Sequence, residues 1–295
     1  MRSDRRTFAA AVTPLRDGGA SVDLDAIPPY TQFLARSGLH GVLTLGTTGE
    51  GILLSLEERQ AVARAFLESA QISLAVIVHC GAQTTRETCA LSEAAAAQGA
   101  AGVAVIGPPY FTPDDEALFD HFSQAARACA PAPFYLYEFR RTAGYSLSLP
   151  LLQRLREGCP NLRGMKCSNT PWEHLEPYLL PAWDVFVGAE ALLLPALERD
   201  AAGAVSGLAA AFPECVVEHV RHPDAAGSAQ VTHLRAALQA IPFHAAQKVA
   251  LAMRGIPIRP DVRGPLRGLN ALEQSRVRSL VEDYCSALPS RASRS

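Results

Sequence analysis

Lys166 is one of only two lysines among 27 basic residues, and it sits inside the apolar run "LRGMKC" (162–167). A lysine in such a strand loses solvation, which lowers its pKa toward neutrality. The free amine is then a nucleophile that can attack a ketone and form a Schiff base. Arginine cannot supply a neutral amine, so its near-universal use elsewhere in the chain makes Lys166 informative. The bland alternative is a lysine that snorkels from a strand end or pairs with a carboxylate. Residues 46–51, "GTTGEG", combine glycines that let a ligand approach the backbone with adjacent hydroxyls beside exposed N–H groups. Gly46, Thr47, Thr48 and Gly49 thereby suit a carboxylate. A plain turn whose threonines cap local backbone would read the same way. No GK[ST] follows, so this is no nucleotide-binding loop. Tyr137 and Tyr110 could pass protons if a hydrogen-bonded relay activates the hydroxyl. Taken singly, each fits an amphipathic core residue as well. Glu50 is read as holding the loop, His79 as a packing residue, and Lys248 as a surface lysine.

These residues need a scaffold that gathers them. Short β-branched runs recur at 8–12, 41–46, 74–80, 102–107, 134–139, 162–167, 184–188 and 203–208. Between them lie helical stretches such as "LEERQAVARAFLESA" and "TTRETCALSEAAAAQG", the second with threonine caps at its start and Gly99 at its end. This spacing predicts parallel strands in βα units, and eight units predict a closed (β/α)8 TIM barrel. A doubly wound sheet is disfavoured because "TPLRDGGAS" after the first strand is no GxGxxG. In a barrel, reacting groups gather at the C-terminal ends of the strands. The loops carrying "GTTGEG", "GPPYF" (107–111), Tyr137 and Lys166 all fall there. After about residue 225 the alternation stops. Three amphipathic helices are expected over 228–241, 242–255 and 272–288, with Pro257, Pro260 and Pro265 marking a loop. The expected division is a catalytic barrel over 1–225 and a helical domain over 226–295, ending in a frayed "PSRASRS".

Composition narrows the function classes. A formal net charge of -2 gives no global field for nucleic acid or an anionic membrane. No apolar run approaches the roughly 20 residues of a membrane span. The seven cysteines form no CxxC pair, which points to neither a disulfide framework nor a zinc site and fits a cytoplasmic protein. No H-E-x-x-H or similar metal spacing occurs. "SDRRTFAAAV" has a twin arginine but too few following apolar residues for an export signal. The loops after the seventh and eighth strands lack a phosphate cradle, which disfavours a phosphorylated substrate.

Together these motifs resemble the family of dihydrodipicolinate synthase and N-acetylneuraminate lyase, the pyruvate-type class I aldolases. The resemblance runs through "AVTPLRDGGASVD", "GTTGEGILLSLEER", "PPYF", the tyrosine of "LYEF", "GMK", "VGAE" and "SGLAAAFPE". It implies that Lys166 forms the imine with pyruvate or another 2-oxo acid, without added cofactor or metal. It implies that Tyr137 moves the proton, that Thr47 and Thr48 bind the carboxylate, and that Thr47 links Tyr137 to Tyr110. Tyr110 would reach in from a neighbouring subunit of a homodimer or homotetramer, and Gly188 and Val205 would line the pocket.

The chain departs from that pattern after the tyrosine. Where the synthases carry an arginine for the second substrate's carboxylate, "YEFRRTAGY" puts Thr142 in its register, with Arg140 and Arg141 out of register. Glu138 would put a carboxylate near the rim. The expected reaction is therefore formation or cleavage of a C–C bond between pyruvate and an aldehyde, with a hydroxylated 2-oxo acid as product or substrate. Three alternatives stand beside it: a 4-hydroxy-tetrahydrodipicolinate synthase acting on aspartate-semialdehyde, a 2-oxo-3-deoxy sugar acid dehydratase, and a non-catalytic sensor of 2-oxo acids.

Overall fold

Eight parallel strands close on themselves: β1 Arg6–Ala10, β2 Gly41–Thr44, β3 Ala75–His79, β4 Gly102–Ile106, β5 Phe134–Glu138, β6 Leu162–Cys167, β7 Asp184–Val187 and β8 Gly203–Ser206. Each pairs with its neighbours in sequence, and β1 closes the ring by pairing with both β8 and β2. The structure is a computed structural model that describes residues 4–70 and 73–288, so the tail "PSRASRS" lies outside the described residues. The strand runs expected from the sequence all form. The first is displaced, beginning at Arg6 rather than Phe8, because Arg6 and Thr7 pair with Gly203 and Ala204 and Arg6 Nη2 donates to Asp184 at 2.6 Å.

Strands buried on both faces carry near-continuous apolar sequence, as parallel sheets do. One face points into the barrel, where Phe8, Leu43, Ile77, Tyr135, Phe186 and Val205 pack as a single cluster. The other meets α1 Ile27–Ala35, α2 Leu56–Ala70, α3 Thr85–Ala97, α4 Asp115–Cys129, α5 Leu149–Gly158, α6 Leu193–Glu198 and α7 Pro213–Arg221. Tyr30 of α1 and Phe66 of α2 are fully buried and meet edge to face at 6.2 Å. Burial of each such ring contributes about 1.5–3 kcal/mol. Thr84 caps α3 by accepting from the Glu87 amide, and Gly99 ends it in left-handed backbone (φ +83). That is the start and stop expected from the sequence.

After α7 the chain runs through α8 Ala225–Gln239, α9 Phe243–Met253 and α10 Ala271–Ala287. Asn270 and Glu273 form a reciprocal capping box at the start of α10. These helices and the 256–270 loop pack against the C-terminal end of the barrel. That placement matters below, because α9 touches the loop carrying Thr47 and Thr48.

Candidate active site

Two residues beyond the interior cluster along each strand come the side chains that face the barrel mouth. On β3 this is His79, on β5 Tyr137, and past the end of β7 Gly188. Tyr137 and Lys166 are register partners on β5 and β6. Lys166 Nζ lies 4.2 Å from the centroid of the Tyr137 ring. Lys166 is 7% exposed, so the amine sits in the mouth with most water excluded. Gly188 makes room for it: a Cβ there would meet Lys166 Cε at 2.9 Å and Ser168 Oγ at 2.1 Å. Val205 belongs to the interior cluster beneath the mouth.

The "GTTGEG" loop joins β2 to α2 and is bracketed by two residues in left-handed backbone, Leu45 (φ 61) and Glu50 (φ 56). Strain of this kind costs on the order of 1–3 kcal/mol per residue and persists only where surrounding contacts hold it. Here Glu50 is held completely. Its Oε1 accepts from Lys248 Nζ at 2.6 Å, and its Oε2 accepts from the Arg263 amide at 2.7 Å. Lys248 Nζ also donates to the Asp261 carbonyl at 2.6 Å. Both side chains of the ion pair are fully buried. Lys248 is therefore no surface lysine. Its partner lies 198 residues earlier in the chain, a pairing that local helical periodicity cannot reveal. Desolvation pulls the Lys248 pKa below its usual range, with Glu50 opposing that shift.

The loop so fixed presents its hydroxyls and amides. Thr47 Oγ1 is 3.2 Å from the Tyr137 hydroxyl. Thr48 is 8% exposed. Among the described residues the amides of Thr47 and Thr48 donate to no other protein group, while those of Glu50 and Gly51 close the turn on Thr47 and Gly46. His244 of α9 reaches the Thr47 carbonyl at 3.0 Å, a contact with no local sequence signal. His79 packs its ring edge-on to Tyr137 with centroids 6.0 Å apart. Its Nε2 faces the Ile106 amide at 3.4 Å and its Nδ1 faces the Leu45 carbonyl at 3.1 Å. Only the tautomer with the proton on Nδ1 satisfies both. Burial, then the charges of Arg59 and Lys166, push its pKa down to about 3, so His79 is neutral and positions the phenol.

One expected neighbour, Glu138, is not brought to the rim. Tyr110, expected to act in a neighbouring subunit, takes left-handed backbone (φ 86), is 88% exposed and packs its ring against Phe111. Glu138 does not face the rim. It is buried, with Oε2 accepting from the Leu147 amide at 3.0 Å and Oε1 from Asn169 at 2.9 Å, and desolvation pushes its carboxyl up. Alternation along β5 turns Glu138 outward because Tyr137 faces in. Arg140, Arg141 and Thr142 lie on a short helical turn after β5; both arginines are exposed. Thr142 borders a cavity of about 250 Å³, chiefly apolar, whose walls include Thr47, Ile52, Pro109, His244 and Leu266. Among the described residues no group of three or more histidine, cysteine or carboxylate side chains is placed to hold a metal ion. No helix among them is long and apolar enough to cross a membrane.

Comparison with known proteins agrees with this geometry. Residues 3–284 match the dihydrodipicolinate synthetase family. A DapA-like lyase of Halobacterium salinarum is 35% identical over 276 residues, covering 90% of each chain. The 4-hydroxy-tetrahydrodipicolinate synthase of Thermus thermophilus is 31% identical over 282 residues, covering 92% of this chain and 93% of its own. Among solved structures, the N-acetylneuraminate lyase of Proteus mirabilis superposes with a TM-score of 0.85 at 29% identity, covering 96% of this chain and 99% of its own. The chain belongs to the dihydrodipicolinate synthetase family, whose members are pyruvate-dependent class I aldolase lyases that work through a lysine imine.

Proposed function

We propose that the protein joins pyruvate to an aldehyde, or cleaves the corresponding 4-hydroxy-2-oxo acid, through an imine on Lys166. The observation that carries this reading is the buried Lys166 amine, 4.2 Å from the Tyr137 ring, with Tyr137 held by Thr47. In the forward direction the Lys166 amine attacks the pyruvate ketone, water leaves, and the iminium forms. Tyr137, its own proton passed to Thr47, takes a C3 proton and so gives the enamine, whose carbon attacks the aldehyde carbonyl. The resulting alkoxide takes a proton from Tyr137, and water releases the 4-hydroxy-2-oxo acid. Thr48 and the loop amides hold the carboxylate. Thr47 receives and returns the phenol proton.

The reading extends to a homodimer or homotetramer in which Tyr110 of one subunit completes the relay at Thr47 of another. The exposed aromatic pair Tyr110–Phe111 and the open apolar cavity beside Thr47 support this. The seven free thiols fit a reducing compartment such as the cytoplasm.

A second reading, 4-hydroxy-tetrahydrodipicolinate synthase, is favoured by the named relatives. Against it, Thr142 offers no charge for the carboxylate of aspartate-semialdehyde. Borohydride reduction in the presence of pyruvate, followed by peptide mass analysis, tests the imine. The expected result is an adduct on Lys166, absent from Lys166→Ala. An unmodified Lys166 would sink the proposal. Turnover of aspartate-semialdehyde at a rate above that of all other aldehydes would favour the second reading.

A further inference from the structure

The turn after β2 is held by its carbonyls. That of Gly46 accepts from the Gly51 amide at 3.3 Å, and that of Gly49 accepts from the buried Thr13 hydroxyl at 2.6 Å. The Thr47 carbonyl accepts twice, from the Glu50 amide at 3.2 Å inside the turn and from His244 Nε2 at 3.0 Å outside it. A carbonyl oxygen only accepts, so His244 Nε2 carries a hydrogen. His244 stands in the first turn of α9 and borders the cavity beside Thr47. Burial lowers its pKa, and a helix N-terminus also disfavours a cation, so the ring is neutral near pH 7. The peptide joining Thr47 to Thr48 is trans. Its plane points the Thr48 N–H opposite to the Thr47 carbonyl. Among the described residues that N–H donates to no protein group.

We propose that His244 is a positioning residue: by holding the Thr47 carbonyl it aims the Thr48 N–H at the carboxylate of the 2-oxo acid bound to Lys166. The inference rests on the imine reading above. With only the 3.2 Å bond from Glu50, opposite rotations about ψ of Thr47 and φ of Thr48 would turn this peptide over and take its N–H away from the ligand. A second donor on the same oxygen, anchored in a helix, opposes that rotation before the substrate arrives. It also polarises the peptide, which makes the opposite N–H a better donor. An N–H that meets a carboxylate forms a charge-assisted bond, so its aim matters more than that of a neutral contact. One helical turn further along α9, Lys248 grips the Glu50 carboxylate. The helix thus holds the turn at two points: Lys248 fixes its far end, and His244 fixes the peptide whose N–H is free.

Borohydride trapping on the full-length protein reads this role, with pyruvate and methyl pyruvate as paired probes. Both present the same ketone, and only pyruvate presents a carboxylate. His244→Leu and His244→Ala remove the donor at two side-chain volumes, so a fold defect in one, seen by circular dichroism, leaves the other to be read. His244→Gln keeps an N–H at a similar reach. Half-saturation for pyruvate should rise about tenfold in His244→Leu and His244→Ala, the lower end for a hydrogen bond to a charged group. Half-saturation for the ester should move by less than about threefold, and His244→Gln should bring the pyruvate value back toward wild type. A merely structural loosening of the mouth would weaken both probes alike. An equal rise for the two probes, a pyruvate value unmoved by loss of the donor, or no recovery in His244→Gln overturns the proposal. Absence of any pyruvate adduct on wild type overturns the imine reading and this inference with it. An adduct whose carboxylate selectivity is indifferent to residue 244 overturns this inference alone.

Discussion

The phenol of Tyr137 is placed by Thr47 at 3.2 Å, by the edge of His79 at a centroid distance of 6.0 Å, and by Phe139 stacked at 6.1 Å. Neutral His79 does not compete for the phenolic proton, which leaves Thr47 as the exchange partner. If Tyr137 moves the proton in C–C bond formation, Tyr137→Phe keeps ring, packing and Lys166 but loses the transfer. The expected effect is a fall in kcat of roughly 10²–10⁴-fold. Pyruvate should still be trapped on Lys166. A kcat within tenfold of wild type would assign the proton to another group. Thr47→Val removes only the link, so its loss should be smaller and should not add to that of Tyr137→Phe. Lys166 and Tyr137 were legible in the sequence because a strand end fixes where each side chain points, whereas the place of Thr47 beside Tyr137 came from the family resemblance. Lys248 and His244 were not. Their partners Glu50 and Thr47 are brought to them from other parts of the fold, 198 and 197 residues away in sequence.

At the scale of elements, the strained 45–50 turn depends on a clamp from α9 and the 256–270 loop. Lys248→Met would strand Glu50 as an uncompensated buried charge, and breaking a buried pair in this way costs about 3–5 kcal/mol. The double variant Lys248→Met with Glu50→Gln removes both charges and should lose less than the sum of the single losses. Urea denaturation of the four proteins measures the coupling, and strict additivity would show that the pair does not hold the turn. The same clamp explains how far the elements could be read in advance. The strands were found to within two residues because runs such as "GVAVI" and "DVFV" allow one conformation in a buried parallel sheet. The helices α8 to α10 showed their periodicity just as clearly, but periodicity gives a helix and a face, not what the face covers. Lys248 falls on that covered face, and a charge there looks like surface until its partner is seen.

For the molecule as a whole, buried histidines set the response to acid, and His79 and His121 are the ones most strongly shifted. Burial holds His79 at about 3 and His121 at about 4, against an ordinary value near 6.5 in the unfolded chain. The folded state keeps both neutral, while the unfolded state takes up a proton on each as pH falls below about 6.5. Their contribution is thus fully present above that value and is lost progressively down to about 3–4. Glu138, raised by burial, acts in the opposite sense near the carboxylate range and offsets part of the loss there. Stability should therefore begin to fall between about pH 6.5 and 5, before most carboxylates titrate. Each histidine contributes a slope of about 1.4 kcal/mol per pH unit. His121 tests this without touching the mouth, since it lies on α4 with Nδ1 2.9 Å from the Thr85 hydroxyl. His121→Gln keeps a polar partner for Thr85 but cannot titrate. At fixed protein concentration the pH slope of the unfolding free energy should be shallower in this variant than in wild type by one proton's worth. An unchanged slope would mean that His121 already takes up its proton in the folded state.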